Sequence, residues 1–450
     1  MLNKKKLNLH LNFSYKVYRV LMFEIKDYSA VYDSIMQFDK NKTVSIHQWY
    51  PFVEGYSKEF IESILDEINY VPQNVLEPFS GSGTTALELQ FKNINCISFE
   101  VSPFMHLLSL VKLNKNYQIH ELDKFVQVLK TSLAQTPKNI RDFEKIPFGR
   151  TVVKNEKLSK WNFNDNSLDG ILDVKYAISK IDQPIYRNLF RIVLASILLD
   201  VSNLFRNGKC LSYKKDWQSK INYKREDIHN LFLFKIENVI SEDIHLLSKK
   251  LQEVNIDNSE NLHFGDVRVN IQNIPDNSVD LIITSPPYLN SRDYTDIYML
   301  ELKVLNLINS YEELLELRKS TIRSHVQIKY NELDLLDIPT LKAYINKISQ
   351  KEINLWNNDL LNMIKGYFLD MAQLFFEFKR VMQKDKFIYF NVANSAYFDE
   401  EIKVDEIIAE IAIENGFQLI EIRKARDLNS SSQQSNSIKK LRESVIILKS

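Results

Sequence analysis

Two short segments of this 450-residue chain place reactive residue types close together. The first is Glu77-Pro78-Phe79-Ser80-Gly81-Ser82-Gly83-Thr84-Thr85. Gly81 and Gly83 reach backbone angles closed to other residues and let the main chain approach a ligand. The loop runs into Ala86-Leu87-Glu88-Leu89-Gln90, a helix opening whose free N–H groups favour anionic groups. Glu100 closes the next apolar run, Cys96-Ile97-Ser98-Phe99, where a carboxylate can bind both hydroxyls of a ribose. Its spacing from Gly83 approaches the roughly 20 residues of dinucleotide-binding patterns. Together these read as a nucleoside-cofactor site; the glycine pair alone would be no more than a tight turn. No lysine follows the last glycine, as a phosphate-cradling loop requires, and Glu77 would repel phosphates. An acid there suits a cationic ligand, which favours S-adenosylmethionine, with its ammonium and sulfonium, over ATP or NAD.

The second segment is Thr284-Ser285-Pro286-Pro287-Tyr288. Two prolines end a strand, remove two N–H donors and stiffen the turn. The Ser285 oxygen and the Pro286 carbonyl are then acceptors without competing donors, suited to the two hydrogens of an exocyclic amine. Tyr288 offers a flat face on which an extruded base can stack. Read alone, the segment could equally be a strand-ending turn with a core tyrosine.

Both segments need strands to carry them. Asn74-Val75-Leu76 leads into the glycine loop, Cys96 to Phe99 into Glu100, and the strongly apolar Val279-Asp280-Leu281-Ile282-Ile283-Thr284 into Ser285. Two further strands, Lys386 to Val392 and Ser444 to Leu448, close the chain. Strand, glycine loop, helix, strand and acid form the front half of a nucleotide-binding α/β domain. Phe60, Ile61, Ile64, Leu65 and Ile68 mark an amphipathic helix ahead of it. The organisation predicted is an N-terminal arm over 1–40, a first catalytic part over 41–116, a helical insertion over 117–255 and a second catalytic part over 256–450. The last part includes a helical segment over 296–380. The Ser-, Asn- and Gln-rich run 429–437 reads as a mobile loop.

The glycine loop and the Ser-Pro-Pro-Tyr tetrapeptide together resemble the amino-methylating DNA methyltransferases of restriction–modification systems. Leu76 to Thr85 resembles that family's cofactor loop and Ser285-Pro286-Pro287-Tyr288 its catalytic tetrapeptide. Phe264-Gly265-Asp266 resembles its third cofactor element, which puts Asp266 near the adenine amino group. His47 to Tyr56 stands where the family has a cofactor-capping segment, and Arg442 to Leu448 resembles its last strand. The resemblance covers roughly half the chain. It implies a seven-stranded Rossmann-like sheet, S-adenosylmethionine as cofactor, base flipping, duplex DNA as substrate and a cognate restriction endonuclease as partner. Serine at 285 is the family's usual mark for cytosine N4; adenine N6 is the second reading. An RNA or protein amino-methyltransferase, or an inactive DNA-binding protein, would be further readings. The insertion between Glu100 and Asp266 departs from the family's usual arrangement and leaves open which segment reads DNA.

Lysines and arginines balance aspartates and glutamates at 58 each, so a DNA footprint must come from a local patch. The densest candidate contributes Arg206, Lys209, Tyr213, Lys214 and Lys215, cations interleaved with aromatics. A second, beside the tetrapeptide, contributes Arg292, Tyr294 and Arg323. Two cysteines exclude a disulfide framework, and no metal cluster is expected. With no apolar run of membrane length and no signal-peptide core, the expected setting is the bacterial or archaeal cytoplasm, at the nucleoid. The expected chemistry is orientation: acceptors at 285 and 286 localise the amine's lone pair, and Tyr288 fixes its line of attack. No Pro-Cys dipeptide, and so no covalent cysteine adduct, is called for.

Overall fold

The computed structural model describes residues 23–450 except 155–156, 208–209, 221–222, 290–292, 332, 351–358, 398 and 431–436. Twelve strands run in chain order among these residues: β1 (Ile25–Asp27), β2 (Asn74–Glu77), β3 (Asn95–Glu100), β4 (Leu204–Asn207), β5 (Cys210–Tyr213) and β6 (Leu262–Phe264). They continue with β7 (Val279–Thr284), β8 (Met382–Ala393), β9 (Ser395–Tyr397), β10 (Glu400–Ile402), β11 (Gln418–Asn429) and β12 (Lys440–Lys449). Eight form one sheet in the order β1-β11-β12-β8-β7-β2-β3-β6. Within it β12 alone runs antiparallel to its neighbours.

The fold is therefore the Rossmann-like α/β sheet, with eight strands rather than seven. The addition is β1, three residues paired in parallel with Ile422–Lys424 of β11 at the edge. Neither β1 nor β11 is announced by apolar periodicity, because β11 exposes Ile420 and buries Arg423 beside Ile422. Residues 1–22 of the expected arm and most of the 429–437 run lie outside the described residues.

Side-chain alternation divides the core between the sheet's two faces. Leu281 and Ile283 join one apolar cluster, while Ile282 between them joins the other. All six residues of β7 are buried, as expected of a central parallel strand. Each buried Leu or Ile there stabilises the fold by roughly 1.5–3 kcal/mol. The long helix Leu360–Val381 covers one face with Met363, Tyr367, Met371, Leu374 and Phe378. The other face carries helices Pro103–Leu113 and Pro184–Leu198. No helix among the described residues is long and apolar enough to cross a membrane.

The stretch read from sequence as almost wholly helical, 117–255, contains helices Ile119–Ala134, Asp165–Ser179, Pro184–Leu198, Arg225–Lys235 and Ser241–Gln252. It also contains a hairpin, β4 paired antiparallel with β5. Of the basic stretch expected to meet DNA, Arg206 and Tyr213 lie on this hairpin, with Lys214 and Lys215 just beyond it. Its sequence signal was a Gly in a two-residue connection between short runs.

Candidate active site

The glycine loop starts where β2 ends. Gly81 and Gly83 both take left-handed angles, φ +55° and +77°. A Cβ at 83 would lie 2.9 Å from the Ser109 hydroxyl, so close helix approach, as well as the angle, calls for glycine there. Three side chains brace the loop. Ser109 donates to the Gly81 carbonyl at 3.0 Å, and Lys112 donates to that of Ser82 at 3.0 Å. Glu100 accepts the Gly81 N–H at 2.8 Å through Oε2 and the Ser102 N–H at 2.7 Å through Oε1. Each Glu100 oxygen keeps a lone pair for a ligand hydroxyl. Burial pushes its carboxyl up to about 7.

Glu77 behaves differently from expectation. It is 2 % exposed, and its oxygens accept from Tyr56 Oη at 2.6 Å, Thr284 Oγ1 at 2.7 Å, Thr85 Oγ1 at 2.9 Å and the Phe79 N–H at 3.0 Å. It therefore does not meet a ligand cation from the cavity wall. It ties the capping segment, the glycine loop and the catalytic strand to one point. Burial pushes its carboxyl up to about 7 as well.

A cavity of about 400 Å³ opens over the carboxyl ends of the central strands. Its wall includes Pro78, Phe79, Ser80, Gly81, Thr84, Thr85, Glu100 and Asp266 on one side and Ser285, Pro286, Pro287 and Tyr288 on the other. The expected cofactor and catalytic residues, Glu77 and Gly83 apart, thus face one space; Gly83 instead packs against Ser109. β2 and β7 are hydrogen-bonded neighbours, and this adjacency puts the two loops side by side. Asp266 caps a short helix at the Arg268 N–H and pairs with the Arg268 guanidinium at 2.7 Å, while still lining the cavity. The segment read as a cap supplies Phe52, Val53, Glu54, Gly55 and Tyr56 to the wall. Phe52 lies over Gly81 and stacks on Tyr298 at 6.2 Å and 8°.

On the catalytic side, Tyr288 donates its hydroxyl to Glu443 Oε1. Asn391 donates to Tyr288 Oη at 2.8 Å, to Glu443 Oε1 at 3.2 Å and to Ser285 Oγ at 3.3 Å. Burial and the Glu443 charge hold the Tyr288 hydroxyl well above its ordinary value, so it stays a donor. Two buried acceptors on this wall, Ser80 Oγ and Asn391 Oδ1, have no protein partner. Buried polar atoms without a partner call for an explanation, and these two belong to residues that line the cavity. With left-handed glycines and the Glu100 lone pairs, they fit an adenosine-bearing cofactor.

The DNA candidates disperse. Arg206 lies against Glu301 at 3.2 Å, with Tyr50 Oη at 2.6 Å and the Pro51 carbonyl at 3.0 Å. Lys214 donates to the carbonyls of Leu199, Asp200 and Ser202 at 2.8–3.3 Å. Arg323 pairs through two nitrogens with buried Asp370, at 3.0 and 2.6 Å. All three side chains are half-buried and bond to groups within the protein rather than standing free for phosphates as expected, with Arg206 Nε left without a partner. Tyr213 packs on Trp217 at 5.3 Å and its hydroxyl meets Asn162 at 3.2 Å. Tyr294 lines the cavity and accepts the Tyr288 N–H at 3.2 Å. Lys215 is exposed; Lys209 and Arg292 lie outside the described residues.

Sequence reading missed Asn391, Arg426 and Glu443, which β8, β11 and β12 bring to the wall from the far end of the chain. Their only signal was that strand ends beside a central strand share its site.

No protein-family model matches the chain. Relatives similar over most of their length do. The Type II methyltransferase M.BsoBI of Geobacillus stearothermophilus is 27% identical over 89% of this chain and 84% of its own. M.AvaI of Nostoc sp. is 24% identical over 86% and 82%, and M.MvaI of Kocuria varians 21% over 79% and 77%. The similarity runs far beyond the two loops, and over most of its length the chain resembles the Type II methyltransferases of restriction–modification systems.

Proposed function

We propose that this protein is a site-specific DNA methyltransferase that moves the methyl group of S-adenosylmethionine to the exocyclic N4 of a flipped cytosine in duplex DNA. One observation carries the reading: the glycine loop with Glu100 and the Ser285–Tyr288 turn line the same cavity, from hydrogen-bonded strands. The relatives are named as Type II methyltransferases, which supports DNA as the substrate and a cognate endonuclease as partner.

S-adenosylmethionine supplies an electrophilic methyl on a sulfonium. Glu100 would accept the ribose hydroxyls, the loop N–H groups would approach the ligand, and Phe52 and its neighbours would close over it. Cytosine's amine is a poor nucleophile because its lone pair is shared with the ring. Ser285 Oγ and the Pro286 carbonyl would accept its two hydrogens and draw the nitrogen toward tetrahedral geometry. Asn391 and Tyr288 hold Ser285 from behind, at 3.3 and 3.4 Å. The Tyr288 ring would set the base plane, so most of the rate comes from orientation. The insertion over 117–255 is assigned to reading DNA, with exposed Lys215 on its phosphate side.

Nucleoside mass spectrometry of DNA incubated with the protein and labelled cofactor tests this. N4-methylcytosine is expected. N6-methyladenine would refute the cytosine assignment, 5-methylcytosine the mechanism, and unlabelled DNA beside labelled RNA or protein the substrate class.

A further inference from the structure

Arg426 occupies a singular position. It is the only lysine or arginine on the described cavity wall; the other charged residues there are carboxylates such as Glu54, Asp293 and Glu443. Its Nε pairs with Glu443 Oε2, while Glu443 Oε1 takes the Tyr288 hydroxyl. One carboxylate therefore separates the guanidinium from the catalytic tyrosine. The two terminal nitrogens of Arg426 make no hydrogen bond to any described residue. A buried carboxylate thus anchors a planar fork whose parallel donors are left to the cavity.

The chemistry of a base held at Ser285 and Pro286 says what such a fork meets. Cytosine carries N3 beside the amine-bearing carbon and O2 next to that, two acceptors side by side. Adenine presents N1 at the corresponding place but a C–H beyond it. A guanidinium can pair with both cytosine acceptors, whereas adenine would leave one N–H unmatched. A site built to donate two bonds rejects a ligand lacking one acceptor, because a desolvated donor is left unpaired.

We propose that Arg426 reads the N3–O2 edge of the target cytosine and so determines which base enters. This rests on the cytosine-N4 reading above. Glu443 holds the fork in plane and fixes its distance from Tyr288.

The test uses the full-length protein and plasmid DNA grown without it. Mass spectrometry identifies the modified base, and sequencing locates the site. Duplexes of that site are then made with cytosine or 3-deazacytosine, which keeps the amine and O2 but lacks the N3 acceptor. For wild type, kcat/KM is expected to fall roughly 10- to 100-fold on the analogue, within the range for a bidentate pair. Arg426→Met should be slow on cytosine by a similar factor and show little further loss on 3-deazacytosine. Comparing the two proteins cancels the analogue's own change in amine reactivity. Arg426→Lys keeps a cation beside Glu443 and should lose most of the discrimination, should the methionine variant fail to fold. Cofactor affinity by calorimetry should stay within a few-fold in any folded variant. Equal discrimination by wild type and a folded variant overturns the role of Arg426 while leaving N4-methylcytosine standing. N6-methyladenine in the first step overturns both, and does so before any variant is made.

Discussion

Glu443, on the antiparallel strand β12, accepts the hydroxyl of Tyr288, on the turn after the parallel strand β7. Strand β8 lies between them and contributes Asn391 to both groups. The tyrosine is thus located by two strands that are not its own. Glu443→Gln keeps the shape but replaces a charged acceptor with a neutral amide. It should lower kcat about tenfold, the cost of weakening one charge-assisted hydrogen bond. Cofactor affinity should be unchanged. Single-turnover methylation beside calorimetry checks this; an unchanged rate would make the contact merely structural.

Glu77 gives a pH signature. Its carboxyl is raised from 4.5 to about 7 by burial, so the folded state holds its proton more tightly. The stability this brings is fully present below about pH 4.5 and is lost as pH rises through about 7. Urea melts of ligand-free wild type and Glu77→Gln should therefore diverge with pH. Between pH 5 and 8 the wild type should lose on the order of 2–3 kcal/mol relative to the variant. A gap that stays constant, or moves the other way, would rule out burial as the controlling influence on Glu77.

Gly83→Ala adds a Cβ at φ +77° and 2.9 Å from Ser109. The strain should cost about 1–3 kcal/mol and lower the melting temperature. Glu100→Ala instead frees the Gly81 and Ser102 amides without backbone strain. Calorimetry should find S-adenosylmethionine binding at least about tenfold weaker in both, on the loss of one or two net hydrogen bonds. Only Gly83→Ala should melt markedly early. Unchanged affinity in both would remove the cofactor from this loop.

Arg206 separates two roles that residue type alone confounds. Its alanine variant leaves Glu301 buried without its cation, which costs roughly 3–5 kcal/mol when a buried pair is broken. The backbone of the cap at Pro51 also loses a donor. The expected result is a higher KM for the cofactor and a salt dependence of DNA binding like wild type's. Losing about 0.9 log units of slope would return Arg206 to the phosphates.

The two loops were legible in the sequence because each is contiguous and carries its own backbone chemistry, glycines at positive φ and prolines ending a strand. Ser285 to Tyr288 needed no distant partner to be noticed. Asn391, Arg426 and Glu443 did: each is an ordinary polar residue on a strand, made part of the site by the order β11-β12-β8-β7. The cationic patch misled for a related reason. Arg206, Lys214 and Arg323 look alike in sequence whether a charge faces water or a buried partner, and only packing distinguishes the two. Glu77 was located at the right strand end, but two of its four donors, Tyr56 and Thr284, come from elements that the sequence does not show meeting.

The bond from Thr284 to Glu77 joins residues 207 positions apart. At ribosomal rates of about 5–20 residues per second, β2 waits roughly 10–40 s for β7 to emerge. Through that interval its inner edge is an open template for another strand, and Glu77 lacks one of its donors. The whole insertion must leave the exit tunnel before the two halves can meet. The length of the insertion is therefore also a delay, one in which the nascent chain is most exposed to chaperones and to its own copies.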